Sequence, residues 1–139
     1  MMLILDTNVL SEPLKPSPDA AVLRWLDLQA PTTLYLTTIS QAELLAGVQA
    51  LPPGKRRTEL QKVLSQELSS LFSDRILAFG ERSAEAYAHV VTAANAAGNP
   101  IDFADAAIGA IAVEHNLILA TRNTRDFKGT PVKLLNPWS

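Results

Sequence analysis

Ile101-Asp102-Phe103-Ala104-Asp105-Ala106-Ala107-Ile108-Gly109-Ala110-Ile111-Ala112-Val113-Glu114 is the stretch on which the fold turns. From Ala106 to Val113 it is apolar on nearly every side of a helical projection, so a helix here must be covered all round and belongs in the middle of a domain. Asp102 and Asp105 open it, Asp102 as the cap and Asp105 as the charge that complements the helix dipole. Leu117-Ile118-Leu119-Ala120 follows as a short buried strand. The polar segment Thr121 to Gly129 then leads to a last strand over Val132 to Leu135.

Upstream of the central helix the same alternation runs back to the start of the chain. Glu81 to Ala97 is an Ala-rich helix with Ala84, Tyr87, Val91 and Ala94 inward, stopped by Gly98-Asn99-Pro100. Arg75 to Phe79 is a strand. From Lys55 to Phe72 the positions Leu60, Val63, Leu64, Leu68, Leu71 and Phe72 recur at helical spacing, which predicts a surface helix with one buried face. Ser40 and Glu43 open another helix, ended by Pro52-Pro53-Gly54, and Leu34 to Thr38 is rich in β-branched and aromatic residues, as strands are. Val22, Trp25 and Leu26 have helical spacing up to Pro31, and Leu3-Ile4-Leu5 suits a strand buried on both faces. Strands alternating with helices from end to end predict a mainly parallel sheet of four to five strands, helices on both faces, and one domain over residues 1–139.

With 139 residues, 47% hydrophobic and 19% charged, the chain has enough apolar surface for one core and is not disordered. Zero Cys excludes a disulfide framework, a thiolate zinc site and a Cys nucleophile together. A net charge of −2 argues against a domain that coats nucleic acid, but not against a small local site acting on one. No run of about 18 apolar residues is present to span a membrane, and the start Met1-Met2-Leu3-Ile4-Leu5-Asp6 lacks the basic region of a secretion signal, so a cytoplasmic protein is expected.

In open α/β sheets ligands bind beyond the carboxyl ends of the strands. Those positions hold Asp6, then Ser40 and Glu43, then Asp102 and Asp105, then Thr121, Asn123 and Asp126. Each has a structural alternative. Asp6 is a favoured cap, Ser40 with Glu43 fits a capping box, and Asn123 and Asp126 are ordinary turn residues. Their conjunction says more: several carboxylates in one crevice repel one another and call for a compensating charge. With no Cys and two His, a hard cation, Mg²⁺ or Mn²⁺, suits oxygen ligands better than zinc. No Gly-rich phosphate loop and no Gly-x-Ser-x-Gly elbow occurs, which argues against nucleotide binding and serine hydrolysis. His89 and His115 fall in or at the end of helices, where a structural role accounts for them. Lys55-Arg56-Arg57 opens the long helix, either as a solvated end or as a nucleic-acid contact.

Leu5-Asp6-Thr7-Asn8-Val9-Leu10-Ser11-Glu12, Ser40-Gln41-Ala42-Glu43-Leu44, Ile101 to Ala106, and Ala120-Thr121-Arg122-Asn123 occur in the order and spacing of PIN-domain proteins. The chain resembles VapC-type toxin ribonucleases, and Asn136-Pro137-Trp138 resembles the ending of the FitB-like branch. The resemblance covers essentially the whole chain. It implies a three-layer α/β/α fold and a metal-dependent endoribonuclease of a toxin–antitoxin pair, with a cognate antitoxin and a homodimer as partners. Carried over, Asp6, Glu43 and Asp105 match the family's acidic site positions, Asp6 and Asp105 as metal ligands. The fourth position falls on Asn123 where many members carry Asp, so Asp126 is a candidate to share the role. Thr7 and Thr121 match hydroxyl positions that orient carboxylates or water, and Asn8 matches as a turn-stabilising group. Arg122 and Arg125 flank the site segment as candidates for RNA phosphate contact. The Asn123 departure leaves open a second reading, a weak or inactive RNA- or antitoxin-binding protein.

Overall fold

The computed structural model describes Met1–Ser139. Five parallel strands form one sheet, β1 (Leu3–Leu5), β2 (Leu34–Thr37), β3 (Ile76–Leu77), β4 (Ile118–Ala120) and β5 (Leu134–Leu135), in the spatial order β3-β2-β1-β4-β5. β1 is central, with Leu3 opposite both Leu34 and Ile118. Its three side chains are at most 2% exposed, as an all-apolar strand covered on both faces requires. The chain leaves β1 toward β2 on one side and reaches β4 on the other. That reversal opens a crevice at the carboxyl end of β1.

The helices are α1 (Thr7–Ser11), α2 (Ala20–Asp27), α3 (Thr38–Gln49), α4 (Lys55–Lys62), α5 (Ser69–Phe72), α6 (Glu81–Ala96) and α7 (Phe103–His115). α7 is the central helix that its composition demands, with Ala106 through Ala112 all buried. Ile108, Ile111 and Ala112 join Ile4, Val90, Leu119 and Phe127 in the larger core cluster. Asn116 ends α7 in the left-handed conformation at φ 54°, where Asn is among the tolerated residues. On the other face Leu5, Val9, Leu36, Phe72 and Ala120 form a second cluster, with Trp25, Leu68 and Trp138 packed against it.

The structure corrects several boundaries. α3 begins at Thr38 with Thr37 as its cap, so Ser40 sits inside the first turn instead of capping it. Thr37 Oγ1 accepts from Ser40 N at 3.1 Å, which leaves Glu43 free of a capping box. The Lys55–Phe72 helix is not uniform: Val63–Leu68 is π-helical, and within it Leu64 joins a third cluster with Leu44 and Val48 while Leu68 packs against both that cluster and the one of Leu5 and Phe72. α6 buries Ser83, Ala86, Val90 and Ala94, with Tyr87 and Val91 packed against the larger core cluster as expected. Of the expected inner face only Ala84 is exposed, and Ser83 is buried beside it, donating to Glu114 and accepting from Gly80 N. Phe127, within a short 3₁₀ turn over Thr124–Phe127, is buried where the sequence shows a polar connection.

Phe127 depends on a glycine. A Cβ on Gly109 would stand 3.0 Å from both Phe127 Cε1 and Val132 Cγ2, so α7 approaches this turn only because the side chain is missing. Gly109→Val is expected to lower stability by about 3 kcal/mol through overpacking, despite its better helix propensity. Urea unfolding checks this, and unchanged stability would show that Phe127 moves aside freely.

Candidate active site

Asp6 ends the central strand and caps α1: its backbone N–H donates to Ala120 O at 2.9 Å, and its Oδ1 accepts from Thr7 N at 2.8 Å. The carboxylate is 3% exposed. Its Oδ2 accepts from Thr121 Oγ1 at 2.6 Å and from Asn8 Nδ2 at 3.3 Å. Burial raises the Asp6 pKa, the hydrogen bonds from Thr121, Thr7 and Asn8 oppose that rise, and the Glu43 charge adds to it. Every donor to Asp6 therefore comes from a residue at the carboxyl end of β1 or β4, and parallel pairing with Leu5 opposite Ala120 brings them together.

Thr121 is wholly buried and does three things with one hydroxyl. It donates to Asp6, accepts from Asn123 N at 3.1 Å, and lies 3.4 Å from Asn8 Nδ2. Asn8 Oδ1 in turn accepts from Arg122 N at 3.3 Å. The amide thus clamps the loop after β4 to the start of α1, the turn-stabilising role expected of it. Thr7 Oγ1 donates to Glu43 Oε1 at 2.6 Å and lies 2.9 Å from Ser40 Oγ, which ties α3 to the same crevice. Ser40 is buried and Glu43 is exposed.

Asp105 enters from the opposite wall, in the first turn of α7, where Asp102 Oδ1 accepts from Asp105 N at 2.9 Å. Asp102 is the expected cap. The Asp105 carboxyl is half-buried, and its pKa is pushed up to about 7 by desolvation first, then by the charges of Asp102, Asp6, Asp126 and Glu43. Five acidic residues from four separate segments thus face one another. The ion pairs of the protein join Lys15 to Glu12, Lys55 to Glu59, Arg75 to Asp74 and His115 to Glu114, and none neutralises any of the five. No three of the acids are gathered into a ready-made cage around a single point.

Asn123 and Arg125 are exposed, and Asp126 is partly so. Asn99 Nδ2 holds that turn by donating to Arg125 O at 3.0 Å. Arg122 is exposed, with its guanidinium 5.2 Å from the centre of the Trp138 ring. Trp138 is thus a platform that positions Arg122. The Asn136-Pro137-Trp138 ending marked the residue, but nothing in the sequence pairs it with Arg122. Glu12 was also missed as a fold element. It is 3% exposed, accepts from Lys15 Nζ at 3.0 Å and Asp19 N at 3.1 Å, and its pKa is lowered chiefly by the Lys15 bond. The Glu12-Lys15 spacing was the available signal. His115 sits at the far end of α7 from Asp105, outside the crevice.

A family model described as the PIN domain matches residues 3–133. The chain belongs to the PIN-domain family. It is 43% identical over 137 residues to the VapC ribonuclease Y4jK of Sinorhizobium fredii, covering 99% of this chain and 98% of the relative. It is also 43% identical over 137 residues to Toxin FitB of Neisseria gonorrhoeae, covering 99% of each. A solved structure of FitAB bound to an IR36 DNA fragment superposes with a TM-score of 0.96 at 40% identity, covering 99% of this chain and 96% of the other. The parallel sheet with its flanking helices is therefore the PIN-domain α/β/α sandwich, and the resemblance seen in the four sequence motifs holds over the whole fold. No helix is long and apolar enough to cross a membrane.

Proposed function

We propose that this PIN-domain protein is a Mg²⁺-dependent endoribonuclease and the toxin of a toxin–antitoxin pair, working in the cytoplasm as a homodimer that a cognate antitoxin holds inactive. The observation that carries the catalytic part is the Asp105 carboxyl, raised to about 7 first by burial and then by four acidic neighbours, and faced by no side-chain cation. A divalent cation is the charge that such a site lacks. The antitoxin part rests on the likeness to the toxin FitB and on the solved FitAB assembly.

All the donors are oxygens, which suits Mg²⁺ or Mn²⁺. Mg²⁺ keeps several waters and takes one or two carboxylates, so Asp6 and Asp105 suffice without a closed cage. When bound, the ion supplies a Lewis acid for a phosphoryl oxygen and lowers the pKa of a water. Thr121, Thr7 and Asn8 favour the ionised form of Asp6 against its burial and aim it by donating to both its oxygens. Glu43 has Oε1 held by Thr7 and leaves Oε2 to accept the proton of the attacking water. Ser40 and Thr7 fix the position of that base, and Asp102 fixes the turn that carries Asp105. Asn123 offers its carboxamide oxygen to a water, and Asp126 adds negative charge beside Asp105. Arg122, held over Trp138, and Arg125 contact RNA phosphates.

Defined single-stranded RNA and duplex DNA incubated with the protein provide the test. RNA is expected to be cut in Mg²⁺, to survive in EDTA, and to be cut again when Mg²⁺ is restored. Cleavage that persists in EDTA removes the ion from the reading. RNA bound but never cut assigns the protein as a binder, with Asn123 as the lesion.

A further inference from the structure

One groove of about 360 Å³ runs from the candidate active site to the basic start of α4. Thr7 and Glu43 line it, and so do Lys15 and Arg56. Much of the remaining lining is apolar, with Leu14, Leu44, Val48 and Leu60. Arg56 Nη2 donates to Leu14 O at 3.1 Å, which fixes the guanidinium beside a lining residue and leaves the rest of its fork free. No carboxylate pairs with Arg56, whereas Lys15 is bridged to Glu12. The groove thus joins the acid of Glu43 to an unpaired cation on Arg56.

We infer that this groove is the subsite for the RNA nucleotides flanking the scissile phosphate, with Arg56 as the contact for a neighbouring phosphate. The inference rests on the ribonuclease reading and adds the place and direction of the substrate strand. α3 lines the groove from Glu43 to Val48, about 8 Å at 1.5 Å per residue. That is the length of about one to two nucleotides at 3.4 Å or more each. A strand whose scissile phosphate lies at the carboxylates therefore brings its next phosphates to Arg56, while a base covers the apolar lining. A guanidinium fork suits phosphate better than an ammonium does, and a fixed one loses less entropy on contact. The same placement explains why Lys55-Arg56-Arg57 clusters in a chain whose net charge is −2.

Arg56→Gln keeps a donor for Leu14 O and removes the charge. Arg24→Gln, at an exposed position in the last turn of α2, is the control for general charge loss. Fluorescence anisotropy with a labelled single-stranded RNA and steady-state cleavage are measured for all three proteins at several salt concentrations. For Arg56→Gln a rise in KM and in Kd of about fivefold is expected with kcat little changed. The slope of log Kd against log salt should fall by about 0.7, the value for one phosphate on a single strand. Arg24→Gln should match the wild type. If the wild type cuts RNA and Arg56→Gln matches it in KM, Kd and slope, the subsite is wrong and the ribonuclease reading stands. If kcat falls with KM unchanged, Arg56 acts by another route and the subsite is equally overturned. If the wild type binds without cutting, the hydrolysis reading fails and the Kd and slope alone decide the subsite. A wild type that neither binds nor cuts RNA overturns both.

Discussion

Asp105→Asn protein is expected to lose Mg²⁺-dependent RNA cleavage by about a thousandfold, since on the proposed reading it removes a metal ligand and with it the charge on which the attack depends. The same protein is expected to melt higher than the wild type at pH 7.5 without metal. The reason lies in the Asp105 pKa of about 7 against an ordinary value of 3.8. Below about pH 4 the carboxyl is protonated in both folded and unfolded chains, so the substitution changes little there. Between about pH 4 and pH 7 the unfolded chain releases the proton and the folded one holds it, so wild-type stability falls as pH rises and then levels off. The full shift would be worth about 4 kcal/mol, and partial exposure to solvent reduces that to about 2 kcal/mol. A gain of roughly 5–8 °C in Tm at pH 7.5, absent at pH 4, follows. Mg²⁺ should raise the wild-type Tm at pH 7.5 and leave Asp105→Asn nearly unmoved. Thermal scans at both pH values, with and without Mg²⁺, check all of this. Equal Tm values at pH 7.5 would mean that ionising Asp105 costs the fold nothing, neither by burial nor by repulsion, and the case for a bound cation would lose its physical basis.

Thr121→Val should show the opposite sign. Its hydroxyl is completely buried, and it is the shortest donor to Asp6, at 2.6 Å. Valine preserves the shape and removes that donor together with the acceptor of Asn123 N. A loss of about 2–3 kcal/mol is expected above the Asp6 pKa, where a buried carboxylate is left short of a partner. Losing a bond that favours the charged form raises the Asp6 pKa further, so the acid limb of the cleavage profile should move to higher pH. Activity at neutral pH should fall by about 10- to 100-fold, the usual effect of disturbing a ligand's supporting partner. Thr121→Ser, which restores the hydroxyl, should recover most of the acid limb. A Thr121→Val profile superimposable on that of the wild type would show that Asp6 needs no help to stay ionised.

The alternation of strands and helices and the place of the candidate site were readable because the chain writes them in short-range patterns. Leu3 to Leu5 and Leu117 to Ala120 are too short and too apolar for anything but interior strands, and a helix apolar all round has only one place to go. Acidic residues at the ends of those elements then had to meet, because parallel strands bring their carboxyl ends to one edge. Boundaries were less readable. Thr37, Ser40 and Glu43 all suit a helix start, and pairing of β2 with both its neighbours decided that Thr37 would be the cap. The π-helical turn at Val63–Leu68 left no trace in the periodicity, since it answers to two separate clusters that its side chains must reach.

The amino-acid order by itself determined the layers, the central helix, the family likeness and which carboxylates would share an edge, for all of these follow from period, polarity and the caps of single elements. Only the three-dimensional arrangement decided that Thr121 serves Asp6 across 115 positions, that Arg122 lies over Trp138, and that the basic start of α4 opens into the groove of Glu43. These are meetings between side chains remote in the chain. Their distances depend on how packed elements settle against one another, and no local pattern encodes that.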